Sequence, residues 1–266
     1  MSTRCITPFY VNTIKQRNVP VPCGKCPACK KRRVSGWSFR LMQQDKYSLM
    51  SHFITLTYDN SNIPITPKGF ASVSKRDVQL FFKRLRKSHT GLPIVYYLAA
   101  EYGSKTARPH YHIILFNSTP EAVARAWTAG LTHAGTVTAA SVGYTLKYIS
   151  KPGRIPLHKN DDRVPEFTLM SKGIGLAYLT PAVIKWHKNP VKMDERMYCN
   201  VEDKKISMPR YYKNKLYNEG DKFKIVLNVM KRLAKEYTPT ELEKLNSDLA
   251  TIASYNWKQK QSSEKL

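Results

Sequence analysis

Pro109-His-Tyr-His-Ile-Ile-Leu-Phe116 is the stretch on which the fold turns. Upstream lies the polar run Gly103-Ser-Lys-Thr-Ala-Arg108, and before that a second apolar run, Pro93 to Tyr102. Two apolar runs joined by a short polar loop predict an antiparallel β-hairpin. Side chains alternate along a strand, so His110 and His112 share one face. Glu101 stands at the end of the partner strand, where pairing would bring its carboxylate beside them. Two imidazoles and one carboxylate can chelate a divalent metal and leave coordination positions open, which suits catalysis more than structure. A half-buried sheet with hydrogen-bonded histidines carries the same His-x-His pattern, so the motif alone decides nothing.

Working outward, His52-Phe-Ile-Thr-Leu-Thr-Tyr58 is β-branched and aromatic and is closed by Asp59-Asn60-Ser61-Asn62, the signature of a strand and its turn. Ser74 caps a helix over Lys75 to Lys87, in which Val78, Phe81, Phe82 and Leu85 recur at helical spacing. Thr119 with Pro120 starts a helix to about Ala129, Gly130 stops it, and Leu131 to Thr138 has strand composition. Ser141 to Lys151 then reads as a short helix ended by Pro152-Gly153. Its Tyr144 and Tyr148 are four residues apart and therefore share a face, with Lys147 and Lys151 beside them. Tyrosine is a poor nucleophile unless the attacked group is polarised and the phenolate is stabilised by nearby positive charge. An aromatic core stripe would give the same spacing.

The flanks are less patterned. Residues 1 to 40 hold nine Lys/Arg and no acidic residue, with Pro8, Pro20, Pro22 and Pro27, which predicts an extended basic arm turning helical from Val34 to Tyr47. Beyond Ile155 the pattern weakens until Pro181 to His187 and two late helices, Lys222 to Tyr237 and Pro239 to about Lys258. The expected architecture is α+β, a central antiparallel sheet of about five strands flanked by helices, with a helical C-terminal extension. Three segments are expected: a basic, Cys-containing N-terminal arm and helix over 1–50, a core over 51–155 and a mostly helical extension over 156–266.

Composition narrows the partner. The 266 residues carry 44 Lys+Arg against 19 Asp+Glu, a formal charge of +25, and such an excess calls for a polyanion. Residues 231–266 contribute seven basic and five acidic groups, so the first 230 hold +23 of that charge. At 42% hydrophobic the chain can bury a core, which excludes wholesale disorder. Neither a long apolar run nor a secretory leader pattern occurs, so no membrane partner and a cytoplasmic location are expected. No G-x-x-x-x-G-K-[ST] loop for a nucleotide triphosphate is present.

Cys23, Cys26 and Cys29 have C-x₂-C-x₂-C spacing. Three thiolates fall one short of a closed zinc site, with Cys5, Cys199 or a histidine as the candidate fourth, and reduced thiols in a loop as the alternative. An iron–sulfur run would want a cysteine where Arg33 stands. Lys30-Lys31-Arg32-Arg33 lacks acidic partners and reads as a phosphate contact.

Taken together in order, Phe53-Ile-Thr-Leu-Thr-Tyr-Asp59, Arg108-Pro-His-Tyr-His-Ile-Ile-Leu-Phe116 and Tyr144-Thr-Leu-Lys-Tyr-Ile-Ser-Lys151 resemble the three motifs of the HUH endonucleases, the rolling-circle replication initiators. The paired tyrosines are similar to the two-nucleophile subclass. Cys23-Gly-Lys-Cys-Pro-Ala-Cys29 followed by Lys30 to Trp37, Glu101-Tyr-Gly-Ser-Lys105, Met170-Ser-Lys-Gly-Ile-Gly175 and Pro209-Arg-Tyr-Tyr212 resemble the initiators of gokushoviruses, small single-stranded DNA phages. The resemblance runs from about residue 20 to about residue 220 and implies Mg²⁺ or Mn²⁺ held by His110, His112 and Glu101. It also implies Tyr144 and Tyr148 as nucleophiles assisted by Lys147, and a 5′-phosphotyrosine link with a free 3′-hydroxyl. Lys30, Lys31, Arg32, Arg33, Arg108 and Lys151 are the expected DNA contacts. Single- and double-stranded phage origin DNA, a host helicase and a host DNA polymerase are the expected partners, in the host bacterial cytoplasm. The contrasting reading is a non-catalytic nucleic-acid-binding protein with a small zinc site, its tyrosines stacking on bases.

Overall fold

The computed structural model describes residues 5–12, 19–150, 155–201, 204–236, 238, 240, 241, 244 and 247. In chain order the elements are β1 (Phe9–Val11), β2 (Val19–Val21), α1 (Pro27–Lys46), β3 (Ser51–Thr57), α2 (Lys75–Lys87), β4 (Val95–Tyr102), β5 (Pro109–Phe116), α3 (Pro120–Ala126), β6 (Thr132–Thr136), α4 (Ala139–Ser150), β7 (Phe167–Met170), a 3₁₀ turn (Leu176–Tyr178), α5 (Pro181–His187), β8 (Tyr198–Val201), β9 (Lys204–Ser207), α6 (Arg210–Leu216) and α7 (Glu219–Glu236). The chain divides into two compact units, one of Met1–Gly36 with Leu179–Leu266 and the other Trp37–Tyr178.

The second unit is built on one open antiparallel sheet in the order β6-β3-β5-β4-β7. Its alternation sorts two faces. Ile54, Leu56, Leu98, Ala100, Tyr111, Ile113 and Leu115 point to one side and are buried against Val78, Phe81, Phe82 and Leu85 of α2 and Val123 of α3. Burying a side chain of this size stabilises the fold by roughly 1.5–3 kcal/mol, so this layer holds the sheet rigid. Ser74 caps α2 by accepting from the Asp77 amide, and Thr119 caps α3 with Pro120 in its first turn. A buried chain of hydroxyls crosses the layer: Tyr58 donates to Asp77 at 2.8 Å and lies 2.7 Å from the Tyr111 hydroxyl, which also accepts from the Ser74 amide. The opposite face carries the even-numbered residues of β5, and α4 packs over β4 and β5 on this unit.

Two elements depart from expectation. Helix α1 begins at Pro27 and not at Val34, so Lys30 to Arg33 lie on a helix and not on an extended arm. Proline is favoured in the first helical turn, where its missing N–H has no partner to lose. The fifth sheet strand, β7, pairs with β4 through Tyr97↔Met170 to Ala100↔Phe167 and had no counterpart in the sequence pattern. The late helix from Lys222 is found as α7, while Pro239 to Lys258 lies for most of its length outside the described residues. Among the described residues no helix is long and apolar enough to cross a membrane.

Candidate active site

The hairpin register brings the site together. Glu101 stands directly opposite His110 and Ala99 opposite His112, so carboxylate and both imidazoles emerge from the α4 side of the sheet. Glu101 Oε1 lies 2.7 Å from His112 Nε2 and 3.4 Å from His110 Nε2. Glu101 is 3% and His112 7% exposed. The 2.7 Å contact is not aligned for a hydrogen bond, and both its atoms are buried without a hydrogen-bond partner. Buried polar atoms are nearly always satisfied, so three lone-pair donors converging on one point fit a cation between them. All three ligand atoms lie within 4.8 Å of one another.

The far side of each ring supports that orientation. His110 Nδ1 lies 3.0 Å from the Arg108 carbonyl, which only accepts, so Nδ1 carries the proton and Nε2 presents a lone pair. His112 Nδ1 lies 3.0 Å from Thr55 Oγ1, and Phe53 stacks on the His112 ring at 5.3 Å. Such outer partners fix ring tautomer and angle for a ligating histidine. Burial pushes the Glu101 carboxyl up, but the contacts and charge of His110 and His112 outweigh it and leave it at about 2, ionised at neutral pH.

Helix α4 delivers the phenol. The Tyr144 ring stands edge-on to His112 with centroids 5.0 Å apart, and it is 42% exposed, open to an incoming strand. Lys147, one turn on, lies 3.2 Å from the Tyr144 ring centroid and 3.7 Å from Glu101 Oε2. A cation over an aromatic face is attracted by the ring, and here it stands between carboxylate and phenol. Tyr148 is on the same helix, but its side chain lies outside the described residues, as does the whole of Lys151.

The remaining sequence-selected residues divide. Arg108 donates to Asn60 Oδ1 at 2.9 Å and to the Tyr58 carbonyl at 2.6 Å, so its guanidinium braces the turn after β3. Lys31, Arg32 and Arg33 are exposed and Lys30 half-buried on α1. Cys23, Cys26 and Cys29 gather with Cys5, while Cys199 is buried in β8 apart from them. Thr55 and Phe53 were not singled out as site residues in the sequence. Their signal was the strand motif itself, but only the β3–β5 register, Thr55↔His112, turns it into a contact.

An open antiparallel sheet that displays a two-histidine, one-carboxylate set beneath a tyrosine-bearing helix defines a class of protein able to hold a metal next to an exposed phenol. Comparison with known proteins supplies the particular family. Residues 51–153 match the family model of the ORF2-type replication-associated proteins. The replication-associated protein ORF2 of Spiroplasma virus 4 is 28% identical over 228 residues, 76% of this chain and 69% of that one. The replication-associated protein VP4 of Bdellovibrio phage phiMH2K is 30% identical over 155 residues, 49% of this chain and 48% of the relative. The replication-associated protein ORF4 of Chlamydia phage 1 is 23% identical over 79% of this chain and 57% of its own length. No solved structure matches. The chain is related to the phage replication-associated proteins, the microvirus-like rolling-circle initiators.

Proposed function

We propose that the chain is an HUH-type endonuclease and strand transferase that opens and rejoins the origin strand of a small phage genome. The observation that carries this reading is the convergence of Glu101, His110, His112, Tyr144 and Lys147 on one face of the sheet. It is supported by the kinship with phage replication-associated proteins over the same residues.

A divalent ion, Mg²⁺ or Mn²⁺, held by His110, His112 and Glu101 would act as a Lewis acid on the scissile phosphate. Tyr144 then attacks phosphorus through its hydroxyl oxygen. The tyrosyl O–P bond forms, the P–O3′ bond breaks, and the phenolic proton is matched by the one taken up at the leaving 3′-oxygen. The products are a 5′-phosphotyrosine and a free 3′-hydroxyl, from which a host polymerase extends while a host helicase separates the strands. One phosphodiester is exchanged for another, so neither step consumes a nucleotide triphosphate. Lys147 places positive charge beside the phenol and near the carboxylate, where negative charge develops in the transition state. The exposure of Tyr144 leaves room for single-stranded DNA across the sheet face. Tyr148, one helical turn away, is assigned to the second cleavage, in which the regenerated 3′-hydroxyl attacks the first link and closes the circle. Lys30 to Arg33, Arg108 and Lys151 are assigned to DNA phosphates, and the host cytoplasm is where those partners meet.

The test is incubation with labelled single-stranded oligonucleotides tiling a candidate origin, with Mn²⁺, followed by denaturing electrophoresis. A metal-dependent covalent band that persists in one single mutant and is absent from Tyr144→Phe/Tyr148→Phe is expected, with Tyr144→Phe the more impaired. DNA bound but left covalently unchanged on every strand would favour the non-catalytic reading instead.

A further inference from the structure

We propose that Cys5, Cys23, Cys26 and Cys29 bind one structural zinc ion as a closed tetrathiolate that clamps the N-terminal hairpin to the start of α1. This site is separate from the proposed nicking site and stands on its own observations.

The four sulfur atoms all lie within 4.8 Å of one another, and those of Cys5 and Cys26 are 3.9 Å apart. A tetrahedral zinc with Zn–S of about 2.3 Å holds its sulfurs about 3.8 Å apart. A disulfide would need about 2.0 Å, and all four cysteines are free. The spacing leaves room for a single ion, whereas a cluster of several irons holds its thiolates farther apart. Four sulfurs fill a zinc coordination shell and leave no open position, which marks the site as structural.

The surroundings are built for thiolates. Cys23 Sγ accepts from the amides of Lys25 at 3.4 Å and Cys26 at 3.3 Å and from the Thr7 hydroxyl at 3.4 Å, while Cys5 Sγ accepts from the Cys23 amide at 3.2 Å. Cys26 and Cys29 are buried, with Ala28 among them and Ile6 packed against the group. The N-terminus of α1, at Pro27, adds the positive end of its dipole. Between Cys5 and Cys23 the chain offers only β1 and β2, three residues each. A two-stranded hairpin of that length is not stable alone, and metal binding is a recognised source of folding energy for such a module. The clamp also fixes the first turns of α1, from which Lys30 to Arg33 project.

The experiment uses the full chain, expressed with both zinc and iron available and purified without chelator, and reads metal content by mass spectrometry. One zinc per chain is expected, unchanged in Cys199→Ser and in His110→Ala/His112→Ala, and lost in Cys5→Ser and Cys23→Ser. Because Cys5→Ser can unfold the module, cobalt-loaded wild type and Cys5→His are compared as well. Four thiolates give an intense tetrahedral cobalt spectrum, and the thiolate charge-transfer band should fall by about a quarter when one sulfur becomes nitrogen. Iron in place of zinc, no bound metal, zinc lost with Cys199 or with the histidine pair, or a cobalt spectrum indifferent to Cys5→His would each overturn the assignment. Covalent DNA nicking is scored in parallel, so a failed zinc site and a failed nicking reading are told apart.

Discussion

Thr55 shows what a single residue adds to the metal-ligand set. Its hydroxyl meets His112 Nδ1 at 3.0 Å across the β3–β5 pair, so it restrains the ring whose other nitrogen faces Glu101. Thr55→Val keeps the shape and strand preference but leaves that nitrogen unpaired. Loss of such an outer partner typically lowers metal affinity 10–100-fold, and calorimetric titration of Mn²⁺ into the protein should show a drop of that order. Unchanged affinity would mean that the ring is held by Phe53 stacking alone. At this scale the sequence was informative where geometry is local. The common face of His110 and His112 follows from strand alternation, and the common face of Tyr144 and Lys147 follows from the helical turn. What joins Glu101 to the histidines and Thr55 to His112 is register between strands, a non-local quantity that composition does not encode. The same is true of Cys5, one of several candidates until the fold set it beside Cys23 and Cys26.

Among the elements, strongly patterned ones were legible and weakly patterned ones were not. Helix α2 was read to the residue because cap, apolar stripe and basic last turn agree. Strand β7 has four half-buried residues with no alternation to detect, and it exists because β4 offers it an edge. Gly130 was read as a helix stop, but its stronger constraint is closeness to the end of β3. A Cβ there would meet the Asp59 backbone nitrogen at 2.5 Å and the Tyr58 carbonyl carbon at 2.7 Å, backbone atoms held by the Asp59 amide's bond to the Ala129 carbonyl. Gly130→Ala should therefore destabilise the protein by about 2–3 kcal/mol or more, the range for overpacking against atoms that cannot yield, seen as a lower urea midpoint. Helix α5 carries a different liability at its last residue. His187 is fully buried, and its Nδ1 lies 2.9 Å from the Arg196 carbonyl. Burial pushes its pKa below the ordinary 6.5, opposed by that carbonyl. A depressed histidine binds its proton less readily folded than unfolded, so its contribution is complete above pH 6.5 and is lost as pH falls from there toward the folded value. Urea midpoints measured downward from pH 7 should fall more steeply for wild type than for His187→Gln, which cannot take up the charge. Parallel slopes would show that other groups dominate the acid limb.

For the whole molecule the governing quantity is a formal charge of +25, of which +23 lies within the first 230 residues. A surplus of this size makes binding to single-stranded DNA a release of counterions, so the logarithm of affinity should fall linearly with that of salt concentration. Lys30, Lys31, Arg32 and Arg33 follow the cysteine cluster on α1, and three of the four are exposed. If all four neutralise phosphates, replacing them with glutamine removes up to about 3 from the magnitude of that slope on single strands. Phosphate contacts carry no base information, so the loss should be equal for origin and scrambled oligonucleotides and the ratio of their affinities should hold. Fluorescence anisotropy over a salt series gives both quantities in one experiment. An unchanged slope would reduce the run to a solvated helix face. A slope that falls only for the origin strand would instead place these side chains at base edges, and with them part of the sequence recognition.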